Sequence, residues 1–166
     1  EFARPFGAPT FTPGSLNTIE EDRRDLFAEI EGKSGSLSFV AGVRYESTDF
    51  SVNDLTVAPA LAEQGNDYSF LLPSASVKIE VGSGGRITAS AARTNRRHRL
   101  DFLSPALLEA EFGDNDLLGN PALRPETAWG GDLGYEQRLG RTGVIGVNLF
   151  YRKVKDLIEL ANTGVE

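Results

Sequence analysis

Cysteine is absent from the 166 residues, and histidine occurs once. The first absence excludes disulfides, thiolate nucleophiles and cysteine-ligated metals, and it suits an oxidising compartment in which free thiols are avoided. With a single histidine, no nucleophile, base and orienting acid can be assembled, so no enzymatic activity, metal centre or cofactor is expected. Long apolar runs are missing too. No stretch approaches the roughly 18 residues of a spanning helix, which excludes helical spans but not membrane strands, whose alternation leaves mean hydropathy ordinary. Positive charge is in deficit: 17 Lys and Arg against 24 Asp and Glu give −7 at pH 7. The one basic run is "RTNRRHR" at 93–99, so phosphate backbones are repelled and no nucleic-acid partner is expected. The chain opens without methionine and without a signal-peptide pattern, and it reads as an excised or processed piece.

What is present describes a folded β-protein. Hydrophobic residues make up 40% and charged residues 25%, an ordinary balance for one structural unit. Residues 1–19, rich in proline and glycine, read as extended loop or linker. From residue 20 the pattern is about six strands in three hairpins. In the first, "DLFAEIEGK" runs through a Lys-Ser-Gly-Ser turn into Leu37, Phe39, Ala41, Val43 and Tyr45, alternating with Ser38, Gly42, Arg44 and Glu46. A helix over "TIEEDRRDLFAEIE" competes with its first strand, but the twofold rhythm favours the strand. In the second hairpin, "PSASVKIEV" turns at "GSGG" into "RITASAART". In the third, Trp129, Gly131, Leu133 and Tyr135 alternate with polar positions, and "GRTG" leads to Ile145, Val147, Leu149 and Tyr151 against Gly146, Asn148, Phe150 and Arg152.

Turn and loop lengths are unequal in a systematic way. Turns within hairpins take about four residues, whereas the connections near 53–67 and 95–126 take about fifteen and thirty, the second with a helical turn expected from Ser104 and Pro105. Short turns at one end and long loops at the other are the rule for outer-membrane barrels. Small residues on the apolar faces, among them Ala41, Ala75, Ala89 and Ala91, would make a thin sandwich core but are acceptable against lipid. Tyr45, Trp129, Tyr135 and Tyr151 lie toward strand ends, where a membrane-interface girdle places its aromatics. Periodicity and loop length leave two architectures open: antiparallel hairpins forming a segment of a large transmembrane β-barrel, or a soluble β-sandwich serving carbohydrate binding or adhesion.

Four segments in order, "NDYSFLLPSASVKIEV", "GRITASAARTNRRHRLDFLSP", "LLGNPALRPETAWGGDLGYEQRL" and "GVIGVNLFYRKVKDLIE", resemble the C-terminal barrel of TonB-dependent outer-membrane receptors, and the earlier "DLFAEIEGKSGSLSFVAGVRYEST" is similar to the family's preceding hairpin. The resemblance covers roughly residues 20–158. It implies a barrel of about twenty-two strands around an N-terminal plug, held in outer-membrane lipid. Such receptors import a scarce small-molecule nutrient, an iron-siderophore, cobalamin or an oligosaccharide, using energy from the TonB complex passed through the plug. The plug, the TonB box and a terminal aromatic strand are not recognisable here. About six strands cannot close so wide a barrel, so the expectation is a barrel segment.

Four arginines, Arg93, Arg96, Arg97 and Arg99, stand at the end of a strand and the entry to a long loop. They are the candidate ligand-binding residues, since guanidinium groups draw anions; the plain alternative is an exposed basic loop in an acidic chain. His98 within them reads as a loop histidine without a metal role. Asp114, Asn115 and Asp116 resemble the start of a calcium loop whose remaining ligands are missing.

Overall fold

The computed structural model describes residues 16–105, 107, 108 and 117–161. Its strands are β1 (Asn17–Ser34), β2 (Leu37–Asp54), β3 (Glu63–Val81), β4 (Gly85–Arg96), β5 (Leu107–Leu108), β6 (Leu117–Leu118), β7 (Glu126–Leu139) and β8 (Gly143–Lys155). Helical structure among the described residues is limited to α1 (Pro59–Ala62) and a 3-10 turn at Leu100–Phe102. Six strands form a single sheet in the order β1-β2-β3-β4-β7-β8, and β5 and β6 form a separate two-stranded ribbon. In the sheet every long strand lies beside its nearest long neighbour in sequence, an antiparallel meander of three hairpins. The turns that close them are tight because glycine takes the left-handed backbone they require, at Gly35 (φ 58°) and Gly140 (φ 64°) among others.

The chain divides into two compact units. One comprises Glu1–Asp22, Asp49–Asp67 and His98–Leu123. Its described core is Phe50, Val52 and fully buried Leu103, with Ile19 and Leu123 packed against them. Hydrogen bonds close the segments on one another: Leu55 N–H to the Leu16 carbonyl (2.9 Å), Asn120 N–H to the Phe102 carbonyl (2.7 Å) and Asn17 Nδ2 to Ser104 Oγ (3.0 Å). The other unit, Arg23–Thr48, Tyr68–Arg97 and Arg124–Glu166, holds the body of the six-stranded sheet.

Several boundaries differ from the sequence reading. The loop expected over 53–67 is shorter, since β2 continues to Asp54 and β3 begins at Glu63. Alternation persists there in disguise: Glu46, Thr48, Phe50, Val52 and Asp54 are all buried, and three of the five are polar, so hydropathy alone loses the period. Asp54 then ends the strand by accepting the Thr56 N–H at 2.8 Å, an Asx turn. At the other end β1 starts at Asn17, inside the segment read as linker; residues 1–15 of that segment lie outside the described ones. The helical turn expected from Ser104 is replaced at Leu107 and Leu108 by pairing with Leu118 and Leu117, cross-strand pairing overriding a local Ser-Pro signal. The possible helix over 18–31 is strand throughout.

Candidate functional site

Register across four strands sorts the sheet into two chemically opposite faces. On one, the Cα partners run Ile79, Ile87, Tyr135, Val147; then Val77, Ala89, Leu133, Leu149; then Ala75, Ala91, Gly131, Tyr151. Three successive rows are thus free of charge. Leu133, Val147 and Leu149 stand 50%, 61% and 63% exposed, so this face is apolar and uncovered, which a sandwich core would not be. Among the described residues no second sheet of comparable size exists to cover it.

The opposite face, one residue out of phase, carries the charges. Its rows read Glu80, Arg86, Glu136, Gly146; Lys78, Thr88, Gly134, Asn148; Ser76, Ser90, Asp132, Phe150; and Ser74, Ala92, Gly130, Arg152. Cations here meet carboxylates: Arg86 pairs with Glu136, Lys78 with Glu80 at 2.9 Å, and Arg152 Nη2 donates to both Asp132 oxygens at 3.0 and 2.9 Å. Gly130 makes room for that last pair, because a Cβ there would meet the Arg152 guanidinium at 3.0 Å. A denser network joins β1 and β2. Asp25 Oδ2 lies 2.6 Å from both Arg23 and Arg44, Glu46 Oε1 lies 3.0 and 2.8 Å from the same two, and Asn95 Nδ2 donates to Glu46 Oε2 at 2.9 Å. Two cations and two anions held this way form a neutral, mutually braced cluster. Only strand register reveals it; nothing in sequence spacing links Arg23 to Glu46.

Of the four predicted arginines, the two on β4 do not share a face, because Arg93 and Arg96 end that strand three residues apart. Arg93 donates to the Leu71 carbonyl at 3.2 Å and lies 6.0 Å from the Phe70 ring centroid. Arg96 reaches Glu126 at 3.6 Å, while Arg97 follows the strand. Arg99, in the other unit, pairs with Asp101 at 2.7 Å and stacks over Phe102 at 5.5 Å. Arg93, Arg96 and Arg99 therefore already engage a neighbouring carboxylate or carbonyl. The aromatics sort more simply: Trp129, Tyr135 and Tyr151 all project from the apolar face, and Tyr45 on β2 is 45% exposed. Tyr135 lies toward the short turns, Trp129 and Tyr151 toward the opposite end.

Sequence reasoning passed over Lys153 and Lys155. The alternation of Val147, Leu149 and Tyr151 runs on through them, and register pairs Lys153 with Trp129 and Lys155 with Thr127. His98 also differs from its reading as a bland loop residue. It sits against the small core, 6.4 Å from the Phe50 ring, and burial pulls its imidazole below the usual histidine range; backbone hydrogen bonds, one at Leu123, and the charge of Glu21 oppose that shift. Residues 114–116 lie outside the described residues, and among those described no cluster of His, Asp and Glu could hold a metal ion.

Among solved structures, this chain is similar to the siderophore receptor PirA from Pseudomonas aeruginosa, at 18% identity and a TM-score of 0.49 over 84% of this chain and 33% of that one. The chain thus spans about a third of that receptor's length. The family described as TonB dependent receptor-like, beta-barrel, matches residues 2–166. With an apolar face opposite a charge-paired one, short glycine turns and a meander of long strands, the chain belongs to the β-barrel family of TonB-dependent receptors.

Proposed function

We propose that this chain is part of the wall of an outer-membrane receptor that imports a scarce small-molecule nutrient, an iron-siderophore, cobalamin or an oligosaccharide, with energy drawn from the TonB complex through a plug. The observation that carries the reading is the registered apolar face. Leu133, Val147 and Leu149 are uncovered where lipid would satisfy them, and Lys78, Arg86, Asp132 and Arg152 line the face that would meet the wet lumen. Strands of 12 to 19 residues exceed the roughly 9–11 that cross a bilayer, leaving length to project beyond it. Tyr135 in the first apolar row, Tyr151 in the third and Trp129 in the row beyond it, with Tyr45 on β2, are the candidate membrane-interface aromatics. Ligand capture is not assigned to Arg93, Arg96, Arg97 and Arg99 as a group, because their faces and partners differ.

The test uses the full-length receptor bearing one introduced cysteine, at Leu149→Cys or Asn148→Cys, labelled with a fluorophore and reconstituted in bilayers. Brominated lipid should quench the label at 149 and leave that at 148, while a water-soluble quencher does the reverse. Equal aqueous quenching at both positions, or a full-length product that stays out of the membrane fraction, would refute the reading. Uptake assays with ferric chelates, cobalamin and oligosaccharides, with and without a working TonB complex, then identify the nutrient.

A further inference from the structure

Along β7 only the first two residues, Glu126 and Thr127, are buried, and Pro125 just before them is buried fully. Glu126 stands on the charged face, in phase with Asp132 and Glu136 and opposite Arg96 on β4. Arg96 lies 3.6 Å from its Oε2, but that side chain is 82% exposed, and so open an ion pair contributes little. The firmer contact comes from the chain beyond β8: Oε1 accepts the Ile158 N–H at 2.9 Å.

The ladder between β7 and β8 ends at Thr127 and Lys155, and the next pair in that register would be Glu126 with Asp156. Asp156 instead takes φ 56°, the left-handed region, and it is the one non-glycine residue to do so among those described. The chain bends out of the strand there, and the Glu126 carboxylate takes the N–H two residues further on. From 151 to 161 every residue is exposed except Ile158, which is half-buried, so the segment after β8 is held at that point. Arg96 and the Ile158 N–H meet one carboxylate rooted on the charged face, which turns the segment toward that face and away from the apolar rows.

We propose that Glu126 is a positioning residue that turns residues 156–161 toward the charged face and fastens them there through the Ile158 N–H. In the orientation proposed above that face lines the lumen, so the segment is set over the mouth of the barrel instead of standing out from its rim. Placement over the mouth rests on that orientation; the turn does not.

Full-length receptor in bilayers carries spin labels at Leu160→Cys, an exposed site, paired with Ala92→Cys on the charged face or Ala91→Cys on the apolar one. Pulsed electron resonance should give a narrow distance from 160 to 92, shorter than that from 160 to 91. Glu126→Ala should broaden both distributions and lower amide-exchange protection at Ile158 on the order of a hundredfold. Glu126→Gln keeps a carbonyl acceptor, so the distance should stay narrow and protection should fall less than about tenfold. Arg96→Gln should leave both readouts as in the parent. Heat-modifiable migration checks folding, and the parent, Glu126→Gln and Arg96→Gln readings test the proposal even where Glu126→Ala fails to fold. A shorter distance to 91 than to 92, parent-like order in folded Glu126→Ala, or disorder in Glu126→Gln overturns it. Disorder in Arg96→Gln as large as in Glu126→Ala does so too, since the ion pair would then be the fastening. Fluorophore quenching at 148 and 149 reports on orientation separately, so failure of the turn and failure of the orientation are told apart.

Discussion

Placing an arginine on one or the other of two neighbouring residues of β8 should give very different costs. Leu149 lies about six residues past Gly143, where β8 leaves its turn. At about 3.4 Å per residue and a tilt of about 45°, that is about 14 Å along the membrane normal, near the middle of an apolar band about 25 Å tall. A cation on the lipid face at that depth costs about 2–4 kcal/mol, so Leu149→Arg should lower the equilibrium constant for folding into the bilayer by a factor on the order of a hundred. Asn148 is at the same depth, but its row partners are Gly134 and Thr88 and the Glu136 carboxylate is in the adjoining row. Asn148→Arg should therefore change stability by under about 1 kcal/mol. The assay is urea-dependent folding of the full-length receptor into lipid vesicles, read by heat-modifiable migration on gels. Equal midpoints for the two variants, or a larger loss for Asn148→Arg, would refute the assignment of faces.

Two further outcomes concern the smaller unit. At Gly119 a Cβ would run into the Ser104 carbonyl and come within 2.8 and 2.9 Å of those of Phe102 and Asp101, all backbone atoms that cannot swing aside. Gly119→Ala should thus strain the Asn120–Phe102 hydrogen bond and cost about 1–3 kcal/mol locally, seen as loss of amide-exchange protection at Leu103 and Asn120 with the sheet unaffected; unchanged protection would contradict the close packing. Burial favours neutral His98, so the folded unit binds fewer protons there than the unfolded chain does. Its stability should be full above the ordinary histidine value of about 6.5 and fall as pH drops through it, while His98→Phe, which keeps the ring beside Phe50, should flatten that fall in protection factors measured across the range.

How much was legible in advance depended on what filled the alternating positions. In β3, β4, β7 and β8 one phase is aliphatic or small and the other polar, so strands, hairpins and both faces could be read directly from Val77, Leu133, Val147 and their neighbours. The outer part of β2 defeated the same rule because Glu46, Thr48 and Asp54 are buried polar residues, Glu46 held by ion pairs and Asp54 by hydrogen bonds, and hydropathy counts such residues as exposed. Proximity in sequence misled at Arg93 and Arg96, which three residues of strand send to opposite faces. The Arg23, Asp25, Arg44 and Glu46 network and the pairing of Arg96 with Glu126 are properties of register between strands, which one strand's sequence does not contain.

The compact base of the connection between β4 and β7 bears on how the sheet comes to be made. Pairing β4 with β7 requires closing the longest link in the described sheet, and such closures are slow because chain entropy is lost before any ladder bond forms. Here Leu123, near the far end of that link, packs against the small core in which Leu103 is buried, and Asn120 is tied to Phe102. Once these contacts form, the strands on either side start close together, and the longest connection folds with the kinetics of a much shorter one.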